Sequence, residues 1–337
     1  MMIMMTILAS IRRAARYGRF AGAAVVAIGL GFGTSVYAEA PAAPTDCPPE
    51  AQLPNAAQVQ AGMRAARDRG FLWRIDKGGR SAYLYGTLHV AKLAWTFPGP
   101  RVAQALAASD TLALEIDLHD PDVLRSLVDS LAAAAGSPLP EPLRQRLTRL
   151  AATECLASEA FTRLRPELQI GTLLSMAGRR DGLDPAYGID NVLSSWGHAT
   201  DKTVVSLETP AMQLRALLLA DAAEQISFVE SSLDELESGH ARPQLARMAQ
   251  VWADADLDTL TRFEAWCGCM KTRSDRAAMT RLLDDRNPAL ADAIDALHAS
   301  GKRLFAAIGS LHMIGPGGLP ARLAQRGYRV ERITALP

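Results

Sequence analysis

Two rhythms of apolar and polar residues alternate along this chain. Short apolar runs at Phe71-Leu72-Trp73-Arg74-Ile75, Ala82-Tyr83-Leu84-Tyr85, Thr111–Leu118, Thr203–Leu207, Leu304–Ile308 and Tyr328–Ile333 predict strands near 71–75, 82–86, 111–117, 203–208, 303–308 and 328–333. Between them, apolar residues recur at helical spacing over 56–69, 101–108, 121–135, 141–156, 159–176, 189–199, 211–237, 276–283, 289–299 and 319–326, which predicts helices there. Lys77-Gly78-Gly79-Arg80 is a turn, so the first two strands form a hairpin. The centre of 111–117 is apolar on both faces, as expected of an interior strand. That places Glu115 in mid-strand with Asp117 on the same face. A carboxylate there is costly unless it is paired, protonated or bound to a metal.

Two of these strands end in the same way. Gly86-Thr87-Leu88-His89 is followed by Pro98-Gly99-Pro100, a helix and a strand; Gly309-Ser310-Leu311-His312 is followed by Gly315-Pro316-Gly317-Gly318, a helix and a strand. The copies stand about 220 residues apart, so they are two related halves and not a solenoid array. The fold class expected is α/β: a mixed central sheet built from two β-α-β units lying side by side, with a large helical insertion over about 120–300. Each histidine falls at the carboxyl end of a strand, the edge of an α/β sheet where ligands bind. Glu208 ends the 203–207 strand and takes the same type of position. Arg286, in Asp284-Asp285-Arg286-Asn287 between two helices, could present a planar cation to an anion or pair with Asp284 or Asp285. His119, His198, His240 and His298 belong to no motif and read as surface or packing residues.

Composition narrows the partners. Arg12, Arg13, Arg16 and Arg19 precede an apolar stretch over Phe20–Val36, and Val36-Tyr37-Ala38 or Ala38-Glu39-Ala40 fits a small-residue cleavage site, so 1–38 reads as a secretory signal peptide. The alternative is an uncleaved membrane anchor. A Pro/Ala-rich connector follows over 39–55, then a single domain over 56–337, in a periplasmic or secreted protein. No lipobox precedes Cys47. The whole chain balances 36 basic against 36 acidic residues; without 1–38 it carries four fewer arginines and becomes mildly acidic. That charge offers no footprint for nucleic acid. Four cysteines in an exported chain suggest two disulfides. With only Gly268 between Cys267 and Cys269, each of these is expected to reach a distant partner, Cys47 or Cys155. A Cys-x-Cys metal site is the other reading.

Taken together, Tyr85-Gly86-Thr87-Leu88-His89, Leu114-Glu115-Ile116-Asp117, Tyr187-Gly188-Ile189-Asp190, Ser206-Leu207-Glu208-Thr209, Asp285-Arg286-Asn287 and Gly309-Ser310-Leu311-His312 with Gly327-Tyr328-Arg329-Val330 resemble the TraB/GumN family, which includes the TIKI-type metalloproteases. The resemblance spans nearly everything beyond residue 70 and is nearest to exported bacterial GumN-like members. It implies a metal-dependent hydrolase of peptidase type, with His89, His312 and Glu115 at its centre.

In the mechanism expected, His89 and His312 bind a divalent transition metal (Mn, Zn, Fe or Co) through neutral imidazole nitrogens. Glu208 or Glu115 completes the set and the other carboxylate takes a proton from water. Arg286 stabilises the oxyanion. Gly86 and Gly309 admit substrate or metal close to the backbone. Asp117 or Asp190 fixes the histidine tautomers, and Tyr187 supports the site. The substrate is a peptide or another small molecule. A different class of function, a periplasmic carrier of metal, haem or peptide, needs the same histidines without an open coordination position.

Overall fold

The structure is a computed structural model and describes residues 46–133, 137–156 and 158–334. The signal-peptide reading of 1–38 and the first part of the connector lie outside these residues. Among the described residues no helix is long and apolar enough to cross a membrane.

In chain order the main elements are α1 (Ala56–Arg64), β1 (Phe71–Lys77), β2 (Arg80–Thr87), α2 (Pro100–Ala108), β3 (Thr111–Leu114), α3 (Pro121–Ala133), α4 (Glu141–Thr153), α5 (Pro166–Met176), α6 (Ile189–Ala199), β4 (Thr203–Ser206), α7 (Pro210–Leu217), α8 (Ala222–Glu237), α9 (Ala241–Ala253), α10 (Arg273–Met279), α11 (Asn287–Ala299), β5 (Leu304–Gly309), α12 (Leu319–Gln325) and β6 (Arg329–Ile333). The strands form one mixed sheet in the order β4-β3-β5-β2-β1-β6. Strands β4, β3, β5 and β2 run parallel to one another, and β1 is antiparallel to both β2 and β6. Every residue of β3 and β5 is buried, which is why both read as unbroken apolar runs with helices over each face.

The two β-α-β units are β2-α2-β3 and β5-α12-β6, and their first strands lie beside each other. From that pair one crossover runs toward β4 and the other toward β6. The connections therefore leave the β2–β5 pair in opposite directions, the kind of switch point that opens a crevice at the carboxyl ends of the strands.

Strand β3 is shorter than the expected 111–117. It ends at Leu114, where its pairing with β4 and β5 also ends. Glu115 is thus not in mid-strand but on the first step beyond it, where its backbone oxygen accepts from the Glu208 N–H. The 211–237 run is two helices. Its break is held by Glu167, whose buried carboxylate accepts from the Leu219 N–H at 3.0 Å and pairs with Arg165, while Asp221 caps α8 through the Glu224 N–H. Likewise 159–176 is a single turn at Glu159–Thr162 followed by α5. The interruption precedes Pro166, which disfavours helical backbone in the residue before it.

The stretch 120–300 is divided between two environments. The core around the sheet takes in Leu193 of α6, Trp252 of α9 and Ile294 of α11. Helices α3, α4, α5, α7 and α8 instead build two satellite cores, one around Leu127, Leu168 and Leu214 and one around Leu147, Phe161, Ile170 and Val229. These helices form the lobe beside the sheet edge.

The disulfides differ from the expected pairing. Cys47 bridges to Cys155 and Cys267 bridges to Cys269. A neighbouring pair can close because Gly268 adopts φ 62°, a left-handed turn that glycine takes without a Cβ clash. The Cys47–Cys155 bridge fastens the segment before α1, and Arg180–Asp46 and hydrogen bonds between the Tyr187 hydroxyl and the Gln52 backbone hold it as well. Because that segment precedes α1 and is no part of the sheet, Cys47→Ser is expected to free it without opening the sheet. The expected cost is about 2 kcal/mol, at the low end for a native bridge closing a long loop. Urea denaturation checks it; an unchanged midpoint under oxidising conditions would exclude the bridge.

Candidate functional site

Four neighbouring parallel strands each deliver one residue to the same edge. In sheet order these are Glu208 after β4, Glu115 after β3, His312 after β5 and His89 after β2. All but His89 are almost fully buried. The register makes this possible: Glu115 lies just beyond the last β3–β5 pair, Leu114↔Ala307, and Gly309 stands in the last β2–β5 pair, Thr87↔Gly309, and the Gly309 N–H donates to Glu115 Oε1 at 2.7 Å.

Both imidazoles are anchored through Nδ1. His89 Nδ1 lies 2.7 Å from Asp190 Oδ2, and the Thr87 hydroxyl donates to the other oxygen of that carboxylate. Asp190 reaches this position because the start of α6 packs on the strand end: the Ile189 N–H donates to the Leu88 oxygen at 2.8 Å, and a Cβ on Gly188 would stand 2.5 Å from the His89 oxygen. His312 Nδ1 lies 2.6 Å from Asn287 Oδ1, while the Asn287 amide donates to the Gly317 oxygen. Asn287 therefore accepts from His312, and the Nε2 of the neutral ring carries the lone pair.

Arg286 occupies the space between the carboxylates. It leaves a single π-helical turn at Thr280–Asp284, a feature often found at functional positions. Its Nε donates to Glu208 Oε1 at 2.9 Å, and Nη2 donates to both Glu208 Oε2 and Glu115 Oε2, the latter at 2.6 Å. Nη1 donates to the Leu282 oxygen at 2.9 Å and faces His312 Nε2 at 3.3 Å. All five guanidinium donors are engaged. Gln213 adds its amide to both glutamates. The expected alternative partners of Arg286, Asp284 and Asp285, are replaced by the two buried glutamates.

The electrostatics follow from this enclosure. Burial works against ionisation of Glu115, but Arg286, His312, His89 and the Gly309 N–H together hold its carboxyl well below the usual range. Burial lowers His312 to about 4, against the attraction of Glu115, so it is neutral at physiological pH. For His89, whose ring keeps some exposure, the effect of burial is outweighed by Asp190 and Glu115, and its pKa is raised. One histidine is tuned toward neutrality and the other toward charge.

Gly309 lies where a side chain would intrude. A Cβ on it would stand 3.2 Å from Glu115 Oε1, 3.5 Å from His89 Nε2 and 3.7 Å from His312 Cδ2, so these groups converge on one small volume. Gly86 serves a different purpose from the one expected. Its missing Cβ makes room for Ser310 Oγ, Met313 and Phe71, which is packing and not an approach for substrate.

Other expected contributors lie elsewhere. Asp117 turns away from the site and accepts from Ser194 and pairs with His198; only Asp190 of the two candidate aspartates orients a site histidine. Tyr187 holds the N-terminal segment. His119 lies beside His198 and bonds to Ser194, and His298 is buried against Tyr328. Cys267 and Cys269, as a disulfide, are not thiolate ligands. Asn287 and Gln213 were not singled out by sequence reasoning. Asn287 sits beside Arg286 in the quoted motif, yet nothing in a single sequence says that it meets His312; Gln213, one turn beyond Glu208, has no signal of its own.

Two relatives described as the uncharacterized protein YbaP, from Shigella flexneri and from Escherichia coli strain K12, are each 24% identical over 274 residues, covering 79% of this chain and 98% of theirs. No solved structure gives a significant match. A model of the TraB/PrgY/gumN family matches residues 71–332, which takes in β1 to β5 and all but the last residue of β6, both Gly-x-x-His ends, both glutamates and Arg286, and the chain belongs to that family.

Proposed function

We propose that this protein is a metal-dependent hydrolase of amide bonds, peptidase-like in its chemistry. The supporting observation is the row of four strand ends, with both imidazoles tied at Nδ1, His89 Nε2 and His312 Cδ2 close to the Gly309 surface, and His312 Nε2 at Arg286. Anchored imidazoles of this kind are how proteins orient metal-binding histidines. The donor set suits a divalent transition metal, and Glu115 Oε1, which accepts one N–H, retains a lone pair. Against this stands Arg286, whose guanidinium takes up Glu208 and faces His312. Among the described residues no three acidic, histidine or cysteine side chains stand close enough to hold an ion together as they are placed. The residues that would hold it are His89, His312 and Glu115. Glu208, bound on both oxygens by Arg286, serves to fix that arginine instead.

A bound divalent ion would polarise the scissile carbonyl and lower the pKa of water from ~15.7 toward ~7. The chain supplies the rest. Glu115 stays ionised through the neutral range and is an anionic donor and not a strong base. Arg286, held rigidly by Glu208 and the Leu282 oxygen, presents positive charge where a carbonyl oxygen becomes negative. Gly309 keeps the volume between Glu115 and the histidines clear of side chain.

A second reading draws on His89 itself. A histidine with a raised pKa, hydrogen-bonded to a buried aspartate, is also the arrangement of a general base. Arg286 would then be the only cation needed for the oxyanion.

Elemental analysis of the mature chain, purified without chelators, separates the two. About one equivalent of a transition metal, lost in His89→Ala/His312→Ala while the circular dichroism is kept, is the expected result. No metal in the wild-type protein even after reconstitution would overturn the metal reading, and chelator-resistant peptide hydrolysis would establish the second.

A further inference from the structure

The site opens into a cleft of about 380 Å³, within the roughly 300–1,000 Å³ of an ordinary small-molecule pocket. His89, Glu115, Arg286, Gly309 and His312 lie at one part of its lining. Around them the lining is aliphatic and aromatic, with Leu245, Met248, Phe263, Trp266, Met279 and Leu282. The polar side chains next to the site are already committed within the protein. Thr87 donates to Asp190, Ser310 donates to the Thr87 oxygen, Gln213 bonds both glutamates, and Arg286 has no donor left. Beyond these, only Gln244 and Glu235 contribute polar side chains to the lining.

That inventory separates two kinds of occupant. A peptide laid along the cleft brings an N–H and a C=O with every residue, and each one buried without a partner lowers affinity by roughly tenfold. An aliphatic chain brings none. It also gains from every methylene removed from water.

We propose that the substrate is an N-acyl amide whose aliphatic acyl chain lies in this cleft, with the amide carbonyl at His89, His312 and Glu115. The proposal rests on the hydrolase reading for its chemistry but on the cleft for its specificity. Water adds to the carbonyl carbon and the C–N bond breaks. The water oxygen stays in the fatty carboxylate, and its protons leave with the amine and to solvent. Nothing is oxidised or reduced.

Binding tests the proposal without requiring turnover. Metal-free protein is titrated with the neutral probes acetyl-, hexanoyl-, decanoyl- and tetradecanoyl-glycinamide, read by tryptophan fluorescence with Trp266→Phe as the control for the reporting residue. The expected result is affinity rising about 3- to 4-fold per methylene until the cleft is filled. A capped Leu-Met-Phe-Leu amide should bind at least about tenfold more weakly than the tetradecanoyl probe. Met248→Lys should weaken the long probes by about tenfold or more and leave the acetyl probe unchanged; Leu245→Gln makes the same test should Met248→Lys fail to fold. Affinity independent of chain length, or a peptide that binds as tightly as the long acyl probe, would overturn the proposal. The same probes, added to metal-reconstituted protein, keep the two readings apart. Length-dependent binding with no amide cleavage would sink the hydrolase and leave the acyl cleft standing. Cleavage of short and long amides at equal efficiency would do the reverse.

Discussion

Replacing Arg286 with methionine is expected to destabilise the fold by about 3–5 kcal/mol, the range seen when one partner of a buried ion pair is removed. The reason lies in what remains. Glu115 and Glu208 are each less than a twentieth exposed, and Arg286 is the cation that bonds both. Without it, two carboxylates stand side by side with only Gln213 and the Gly309 N–H as donors. Methionine matches the length of the arginine stem, so the change in packing is small and the loss reports charge. Adding Glu208→Gln to Arg286→Met should recover a large part of the loss, since one of the two stranded charges is gone. Guanidinium denaturation of the three proteins makes the comparison. A loss below about 1 kcal/mol for Arg286→Met would mean that the carboxylates are satisfied by water or by a bound cation, and that the arginine is not structural.

The same cluster shows what was readable from the residues alone and what was not. Strands β2 and β5 were legible because each is an apolar run closed by the same Gly-x-x-His phrase, and local pattern carries that much. Their adjacency followed from the repetition of the phrase. Glu115 was picked out for the right reason, a carboxylate amid apolar residues, but with the wrong backbone. The apolar pattern runs on through Ile116 and Leu118, whereas strand pairing stops at Leu114. Periodicity reports burial, and it cannot distinguish a paired strand from a buried loop. For the same reason 211–237 read as one helix: the corner at 218–221 is fixed by Glu167 and Arg165, which lie some fifty residues earlier in the chain.

The long-range partners were out of reach for a related reason. Which acid meets Arg286, and whether Asp117 or Asp190 meets His89, is decided by how α6 and α11 dock on the sheet. Asp117 and Asp190 look alike in sequence, each following an apolar residue in a short motif. The Ile189 N–H bond to the Leu88 oxygen and the close approach of Gly188 to the His89 backbone bring the second one in. The cysteines failed differently. Spacing argued that Cys267 and Cys269 were too close to bridge, but the glycine between them takes a left-handed turn that removes the objection.

Acid should unfold the metal-free protein steeply, beginning well above the usual carboxylate range. His312 is lowered to about 4 from 6.5 by burial. Below pH 6.5 the unfolded chain therefore takes a proton that the folded chain refuses, and stability falls with pH until about 4, by roughly 3 kcal/mol. Glu115 acts in the same direction over a lower window. Its folded pKa is depressed, so the stability it contributes is present above the unfolded value of 4.5 and is lost as pH falls below it. His89 has the opposite sign. Its raised pKa contributes stability fully below 6.5, which disappears as pH rises through the folded value. The three together place the maximum near neutrality with a steep acid flank. Urea midpoints measured from pH 8 to pH 4 should show the fall, and His312→Asn should flatten its upper part between 6.5 and 4 while leaving the lower part from Glu115. A stability profile that is level down to pH 5 in the chelated protein would show that the His312 ring is not shut away from solvent as described, and the anchoring of its Nδ1 by Asn287 would have to be abandoned with it.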